Sequence, residues 1–540
     1  MNSEKCSCSS SAPAADNCQE FGKKALRIHP SDSVAVALVP LAKGETITVE
    51  ASGNAKEVTL TLKEDIMAGH KFAIKDIKSE EPVIKYGYPI GGAKCEISAG
   101  CHVHVQNTKT LLSETASYTY DEAGAKASME AWKAETAEFR KNIPTIKAYK
   151  RPNGRIGIRN EIWIVPTVGC VNKISENLAA WANGKFCGGE PAPNENGGLE
   201  GVFAWTHPYG CSQMSNDHAT TRKILADLVH HPNAGAVLVV SLGCENLTSE
   251  QFLEELGDFD PNRVKFMKTQ DCVDEVAEGR KLLTELAEYV SQFKREEVPM
   301  SEIVLGMKCG GSDGLSGITA NALVGRICDA VTAMGGSVML TEVPEMFGAE
   351  QMLMNRCVDK NRFDQTVNLI NGFKEYFAKH GQVVYENPSP GNKAGGITTL
   401  EDKSLGCVQK GGKAPVCGVL HYGDRISEKG LNLLEGPGND IVSTTDMTAA
   451  GANLILFTTG RGTPLGAPVP TVKIATNHPL ANRKAGWIDF DAAQMLDKPV
   501  DGVRDELLQL ICDIASGKKQ TANERNGYRE IAIFKNGVTL

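Results

Sequence analysis

The sequence of 540 residues has no long hydrophobic run. A helix that spans a bilayer needs roughly 20 consecutive apolar residues, and no stretch approaches that length. The first residues, MNSEKCSCSSSAPAADNCQE, also lack the apolar segment of a signal peptide. We therefore expect a cytoplasmic protein without a membrane partner.

Concentrated positive charge is missing as well. Lys and Arg number 57 against 66 Asp and Glu, which gives a formal net charge of −9, and no basic block is sustained. Nucleic acids and anionic membranes bind concentrated basic faces. The composition therefore excludes nucleic acid as the main partner and favours a small molecule, while a homo-oligomer remains compatible with it.

Composition changes along the chain predict a multidomain protein, because 540 residues exceed what one hydrophobic core supports. The fold class that we expect is a small N-terminal β-rich domain followed by a large α/β portion with mainly parallel sheets. The predicted parts are a disordered tail with Cys6, Cys8 and Cys18 (1–24), the β domain (25–110), a helical linker (111–150), an α/β domain (151–300) and a second α/β domain with C-terminal helices (301–540).

Four predicted strands are followed by a cysteine, namely Cys170, Cys211, Cys244 and Cys309. Ligands of open α/β sheets bind at the carboxyl ends of the strands. The sixteen cysteines are scattered and contain no C-x-x-C pair, so we expect reduced thiols. An iron–sulfur cluster on these four residues is one interpretation, and ordinary buried thiols are the other.

The segment KCGGSDGLSG follows one of these strands and precedes a predicted helix. Gly310 and Gly311 would let backbone N–H groups approach an anion, and Lys308, Ser312 and Asp313 are polar contacts, with Lys308 or Asp313 able to move a proton. The segment has neither nucleotide-binding pattern, so no nucleotide cofactor is expected. A tight turn without a ligand is the alternative.

Histidines suggest a metal site. In CHVHVQN, His102 and His104 point to one face of a strand, as a divalent transition metal requires, and His29 and His70 lie in the same predicted domain. Another loop offers His207 and Cys211 as ligands of Fe(II) or Zn(II). Each histidine could instead be an ordinary surface or core residue.

Three arginines near glycines, Arg155, Arg159 and Arg461, suit an acidic substrate because a guanidinium binds a carboxylate through two parallel hydrogen bonds. Arginines at the surface or at a domain interface are the alternative.

Long motifs between about residues 26 and 477 resemble the altronate/galactarate dehydratase family. They are IHPSDSVAVAL, VIKYGYPIGGA, GCHVHVQNTKT, GRIGIRNEIWIVPTVGCVN, HPYGCSQ, LGCEN, KCGGSDGLSGITAN, TEVPEMFGAE, PSPGNKAGGITTLEDKSLGC and FTTGRGTPLGAPVPTVKIATN. TEVPEMFGAE is more similar to the altronate branch. One departure is Gln106, which stands where the family has a third alternate histidine.

The resemblance implies a SAF-type β domain and an iron-dependent hydro-lyase of hexuronate catabolism that acts on a sugar acid. We expect it to convert D-altronate into 2-dehydro-3-deoxy-D-gluconate, with Fe(II) favoured over Mn(II) or another divalent metal. Galactarate or another aldarate is the alternative substrate, and a sugar-acid binding protein without turnover is the alternative class.

On the matching motifs we assign roles by inference, with the site in a cleft between the β domain and the large portion. The catalytic residues are Lys308, Asp313 and His70; the substrate contacts are Arg155, Arg159, Gly310, Gly311, Ser312 and Arg461; the metal ligands are His29, His102, His104, His207 and Cys211.

Overall fold

A computed structural model describes residues 23–50, 53–112 and 115–540. The predicted tail with its three cysteines lies almost wholly outside these residues. In the described part, no helix combines the length and the apolar character that a membrane span requires.

Short antiparallel strands build the N-terminal domain, as predicted. In β3 the pattern TITV buries Ile47 and Val49 and exposes the two threonines, which is the period of a half-buried strand. The sheets are β1-β2-β5-β8, β3-β4 and β6-β7-β9. Their strands are β1 (Ala25–Leu26), β2 (Val34–Ala37), β3 (Thr46–Val49), β4 (Val58–Thr61), β5 (Lys71–Ala73), β6 (Pro82–Lys85), β7 (Tyr88–Ala93), β8 (His102–Val103) and β9 (Thr108–Lys109).

The predicted helical linker holds one helix, α1 (Glu122–Glu135), whose first turn is capped by the Asp121 side chain. The end of the same stretch forms β10 (Thr145–Lys150), which pairs with β11 (Ile156–Gly157) and with β16 (Glu296–Pro299). The linker is thus only partly helical, and the domain boundaries near 110, 150 and 300 stay a prediction.

The middle region is a parallel sheet of order β13-β12-β14-β15 with helices packed against it. All eight residues of β14, AGAVLVVS, are buried, as expected of a strand covered on both faces. The elements are β12 (Glu161–Pro166), α2 (Asn172–Phe186), β13 (Val202–Ala204), α3 (Ser215–Val229), β14 (Ala234–Ser241), α4 (Ser249–Leu256), β15 (Val264–Lys268), α5 (Glu275–Ser291) and β16 (Glu296–Pro299).

The C-terminal region is a seven-stranded parallel sheet of order β19-β20-β18-β17-β21-β22-β23. Its elements are β17 (Val304–Cys309), α6 (Ala320–Ala333), β18 (Ser337–Leu340), α7 (Glu350–Met354), α8 (Lys360–Lys379), α9 (Pro390–Ala394), α10 (Leu400–Cys407), β19 (Val416–Leu420), β20 (Gly430–Leu434), α11 (Asp440–Ala450), β21 (Leu454–Thr459), β22 (Thr471–Ala475), α12 (His478–Arg483), β23 (Phe490–Asp491), α13 (Val500–Ala515) and α14 (Ala522–Arg525).

Apolar cores join the regions. One cluster contains Val34 and Ala73 of the β domain together with Met307 of the seven-stranded sheet. Another packs Trp163 of the four-stranded sheet with Phe457 of the seven-stranded one. The β domain is therefore held against the C-terminal region by shared hydrophobic burial.

Candidate active site

Three histidines of the β domain gather beside the C-terminal region. His70 directly precedes β5, and His102 and His104 lie at β8, its antiparallel neighbour. Their ring centroids are 5.1, 5.2 and 5.5 Å apart, and His70 Nδ1 is 3.0 Å from His102 Nε2. Tertiary pairing thus adds His70 to the two same-face imidazoles that the sequence predicted.

Loop 394–398 of the C-terminal region fixes two of these rings. His70 Nε2 lies 3.3 Å from the Ala394 carbonyl oxygen, and His104 Nδ1 lies 3.1 Å from Thr398 Oγ1. Because a carbonyl only accepts, His70 Nε2 carries the proton and His70 Nδ1 keeps its lone pair. Such outer hydrogen bonds are the ones that orient histidine ligands at metal sites.

The three imidazoles favour the neutral state. Burial lowers the pKa of His70, and burial together with nearby positive groups, Lys71 among them, lowers the pKa of His102 and of His104 to about 4. Neutral imidazole is the form that binds metals or accepts a proton.

Gln106 lies against His102 on the outer side of the group. Its Nε2 is 3.4 Å from His102 Nδ1 and 3.3 Å from the His102 carbonyl oxygen. Gln106, which departs from the family pattern, therefore contacts the His102 imidazole at the nitrogen that faces away from His70.

Buried charges also attach the β domain to the C-terminal region. Asp402 accepts from Lys71 Nζ at 2.8 Å and from Lys85 Nζ at 3.0 Å, and all three side chains are at most 3% exposed. Burial opposes ionisation of Asp402, but the two ammonium groups hold its pKa below the ordinary value. One carboxylate thus faces two lysines at the domain interface.

The glycine turn packs directly on the β domain. A Cβ on Gly314 would lie 1.9 Å from the Gly69 carbonyl oxygen, next to His70, and one on Gly317 would lie 2.3 Å from Tyr86 Oη. Gly314 lets the two backbones approach closely, and Gly317 leaves room for the Tyr86 side chain. The glycine turn and His70, His102 and His104 therefore lie in the same part of the contact between the two domains.

Backbone N–H groups of the turn are largely used within the protein. Gly310 donates to the Thr458 carbonyl at 3.0 Å, and Gly314 donates to the Gly395 carbonyl at 2.7 Å. Gly311 has φ +66° and is exposed. The helix that was expected at once after the glycines, α6, begins only at Ala320, so its N-terminus does not directly follow the glycines.

Asp313 organises this turn. Its two carboxylate oxygens accept from the Ser316 hydroxyl at 3.0 Å, the Leu315 N–H at 3.1 Å, the Thr476 hydroxyl at 2.8 Å and the Asn477 amide at 3.0 Å. The carboxylate thereby ties the turn to the end of β22.

A buried group of two thiols and one carboxylate lies beside Ser312. The Ser312 hydroxyl is 2.7 Å from Cys309 Sγ, and Cys407 Sγ is 3.0 Å from a Glu345 oxygen. The ligand atoms of Cys309, Glu345 and Cys407 lie within 4.8 Å of one another, the one such group in the described ranges. Thiolates and a carboxylate fit a divalent metal ion. A hydrogen bond from Cys407 and the nearby charge of Lys410 lower the pKa of Cys309 well below its usual value.

Lys308 is fixed as a cation beneath the turn. Its ammonium contacts Glu342 and lies 3.0 Å from Asp440 Oδ1 and 3.2 Å from the Cys309 carbonyl oxygen. Although burial opposes the charge, these carboxylates raise the pKa of Lys308. Glu342 itself has φ 72°, a strained conformation that clusters at functional sites. The geometry suits a permanent positive charge better than a proton acceptor.

Buried charges at and beneath the interface are closely matched. Lys71, Lys85, Lys308, Lys403 and Lys410 pair with Asp402, Glu342, Glu345 and Asp440, and the carboxylate of Asp313 is buried beside them. Buried charges that are paired in this way hold one another in place.

A small cavity lies between these groups, with Ser312, Asp402, Lys403 and Cys407 in its wall. Its volume is about 10 Å³, which is room for about one water molecule. This cavity is therefore too small for a sugar acid, which could enter it only if the β domain or a neighbouring loop moved.

Two predicted metal ligands lie in the middle region instead. Both ring nitrogens of His207 are used, Nε2 at 2.7 Å from the Pro166 carbonyl oxygen and Nδ1 as acceptor of the Tyr209 N–H at 3.1 Å. Cys211 is exposed, with Sγ 3.6 Å from Asn246 Oδ1. The structure does not show these two residues with the three clustered histidines.

His29 and the arginines also differ in setting. His29 is exposed and bonds Ser31 at 2.7 Å. Arg159 is buried in an ion pair with Glu524 at 2.7 Å, and Arg155 donates to the His230 carbonyl at 3.1 Å. Only Arg461, exposed beside Gly311, lies next to the glycine turn.

Several buried residues of the site were not predicted from the sequence. They are Glu342, Glu345, Asp402, Lys403, Cys407, Lys410 and Lys473. A signal existed, because TEVPEMFGAE places two glutamates three residues apart and DKSLGCVQK places two lysines and a cysteine on one helical side. Lys473 is 1% exposed, with Nζ 3.7 Å from the Phe457 ring centroid, and burial lowers its pKa to about 7.

A small β domain docked on parallel α/β regions, with neutral imidazoles beside buried cations, defines an enzyme for small anionic molecules. Three domain families match the chain: the altronate/galactarate dehydratase SAF domain (23–111), the D-galactarate dehydratase/altronate hydrolase second domain (148–291) and the D-galactarate/altronate dehydratase C-terminal domain (300–539).

Full-length relatives agree. The chain is 50% identical to an altronate dehydratase of Escherichia coli (strain K12) over 95% of this chain and 99% of the relative. It is 48% identical to an altronate dehydratase of Bacillus subtilis (strain 168) over 96% and 100%. Identity to the galactarate dehydratase (L-threo-forming) of Escherichia coli is 30% over 94% and 96%. The chain belongs to the altronate/galactarate dehydratase family.

Proposed function

We propose that the enzyme is a hydro-lyase that removes water from D-altronate and gives 2-dehydro-3-deoxy-D-gluconate. The observation that carries this proposal is the identity of 50% and 48% to altronate dehydratases over nearly the whole chain, against 30% to the galactarate enzyme. Its reduced thiols and small-molecule substrate support a cytoplasmic location.

The histidine group suits the metal, for which we favour Fe(II), with Mn(II) or another divalent ion as the alternative. Its imidazoles favour the neutral state, and the ring centroids of His102 and His104 are 5.5 Å apart, close enough for two ligands of one ion. The group formed by Cys309, Glu345 and Cys407 offers suitable donors too, but Lys403 lies 2.8 Å from Glu345 and repels a cation. His102 and His104 would hold the metal.

When bound, a divalent ion supplies Lewis acidity to the substrate carboxylate and its neighbouring hydroxyl. The fixed ammonium groups of Lys308 and Lys410 stabilise negative charge as the C2 proton leaves, which is the largest barrier in this reaction. His70 would take this proton at Nδ1, after its contact with His102 Nε2 is released. The C3 hydroxyl would then leave as water with the proton that His70 has taken, and the resulting enol becomes the ketone.

Asp313 acts as a positioning residue in this proposal, because its oxygens hold the turn on which Ser312 lies. Arg461 and Gly311, which are exposed and adjacent, would bind the far end of the substrate. The small cavity beside Ser312 would have to widen for the substrate to occupy it.

The test is formation of a keto acid from a panel of sugar acids by protein loaded anaerobically with Fe(II). Turnover of altronate well above that of galactarate is expected, with loss on chelation and recovery on adding Fe(II). Preference for galactarate would change the substrate, and no turnover of any sugar acid would favour a binding protein and contradict the proposal.

A further inference from the structure

Three exposed cysteines lie at one edge of the four-stranded sheet. Cys170, Cys211 and Cys244 follow β12, β13 and β14 respectively, beyond the carboxyl ends of these parallel strands. Unpaired cysteines are usually buried, where they act as small apolar residues. Three exposed ones on neighbouring loops call for a different explanation.

The three loops touch one another. Gly169 N–H donates to the Tyr209 carbonyl at 2.8 Å, and Leu247 N–H donates to the Gly210 carbonyl at 3.1 Å. Cys211 Sγ is 3.6 Å from Asn246 Oδ1. These contacts lie within three residues of a cysteine in each loop, so the thiols share one rim of the sheet.

Other residues hold these loops in place. Glu245, 7% exposed, accepts from Thr167 Oγ1 at 2.9 Å and from the Gly243 N–H at 2.6 Å. Gly210 has φ +95°, and a Cβ there would lie 1.9 Å from the Thr167 carbonyl oxygen. The loops are therefore built to a defined shape, although the thiols that they present add nothing to the core.

We propose that Cys170, Cys211 and Cys244 bind an iron–sulfur cluster through three thiolates. Thiolates are the usual ligands of such clusters, and hydrogen bonds to sulfur tune them. Gln270 Nε2 already donates to Cys244 Sγ at 3.3 Å. Cys309, the fourth cysteine of the strand-end pattern, is not a member, because it is buried in the other sheet beside Ser312.

The described geometry disfavours a single ion. Two sulfurs on one zinc ion cannot be more than about 4.6 Å apart, since each Zn–S bond is about 2.3 Å. Among the described residues, these cysteines form no group whose three ligand atoms lie within 4.8 Å of one another. We therefore favour a cluster, in which each thiolate binds a different iron atom, over one ion shared by all three.

The test is anaerobic reconstitution with iron and sulfide, followed by assay of bound iron, acid-labile sulfide and visible absorbance. Wild type should bind iron and sulfide in a fixed ratio to protein. The variant C170S/C211S/C244S should bind at least tenfold less sulfide than wild type. Cys95→Ser, an exposed thiol of the β domain, and C6S/C8S/C18S should retain it. Circular dichroism melting checks that the variants fold.

Absence of labile sulfide in wild type, equal sulfide in the triple variant, or zinc bound alone would each overturn the proposal. The readout does not depend on altronate turnover. Failure of the dehydratase proposal and failure of the cluster proposal are therefore separate results.

Discussion

The two parallel sheets present the same sequence pattern at their carboxyl edges but in opposite surroundings. In the seven-stranded sheet, Cys309 ends β17 and is 2% exposed. In the four-stranded sheet, Cys170 and Cys244 follow β12 and β14 and are exposed. The β domain covers the first edge and brings lysines and histidines to it. The strand pattern therefore locates the edge of a sheet, whereas the element packed over that edge decides its chemistry.

His102→Ala would give the largest effect, because it removes one of the two histidines proposed to hold the metal. We expect kcat/KM for altronate to fall at least about 100-fold, with loss of the iron that is bound without labile sulfide, measured by keto-acid assay and by iron and sulfide analysis. His70→Gln should lower kcat similarly while iron is retained.

His207→Gln is the matching histidine variant in the middle region, for comparison with His102→Ala. Both nitrogens of His207 already bond the backbone, so we expect iron bound at the β domain to stay within twofold of wild type and the melting temperature to fall. Loss of that iron would mean that the two edges form one metal site.

Lys308→Met tests the buried charges at the carboxyl edge of the seven-stranded sheet, which the β domain covers. It leaves Glu342 and Asp440 without their ammonium partner, and removal of one partner of a buried pair costs about 3–5 kcal/mol. A marked drop in the melting temperature is expected, together with loss of turnover. The double variant K308M/E342Q should recover much of the stability but none of the activity; recovered activity would contradict the role of Lys308.

Gly314→Ala tests the docking of the β domain. The added methyl would meet the Gly69 and Gly395 carbonyl oxygens, and overpacking of this kind costs about 1–3 kcal/mol. Gly372→Ala in α8, where no atom lies within 4 Å of the new Cβ, should be neutral or stabilising. Equal melting temperatures for both variants would argue against tight docking.

Lys473 gives a smaller, pH-dependent effect. Its pKa falls from 10.5 to about 7 on folding because the ammonium is buried. Between pH 7 and 10 the unfolded chain therefore binds more protons than the folded one, and stability from this residue rises with pH. Lys473→Met should flatten this rise in thermal melts; an unchanged pH profile would show that Lys473 is solvated.

Much of the fold followed from periodicity. Alternating runs predicted the β domain, and uniformly apolar runs such as AGAVLVVS predicted the parallel strands. The helical linker was only partly right, because TIKAYK alternates weakly and becomes a strand through pairing with β16. The late start of α6 was missed because Asp313 and Ser316 stabilise an irregular turn first.

Within the candidate site, the sequence indicated His102, His104, Lys308 and the glycine turn. Histidine commonly binds metals, lysine carries a positive charge, and glycine permits close approach of another group. The sequence did not indicate Asp402 or Glu342, because a carboxylate has no distinctive pattern until its lysine partner is known. Their partners are 331 and 34 residues away along the chain.

The sequence by itself determined the classes of strand and helix, the family, and the residues able to bind a metal or an anion, since these depend on local chemistry. Only the tertiary structure decided which of them meet. Burial and pairing across distant segments set the charge of Lys308, the neutrality of the histidines and the exposure of the middle-region cysteines, because desolvation depends on what packs against each group.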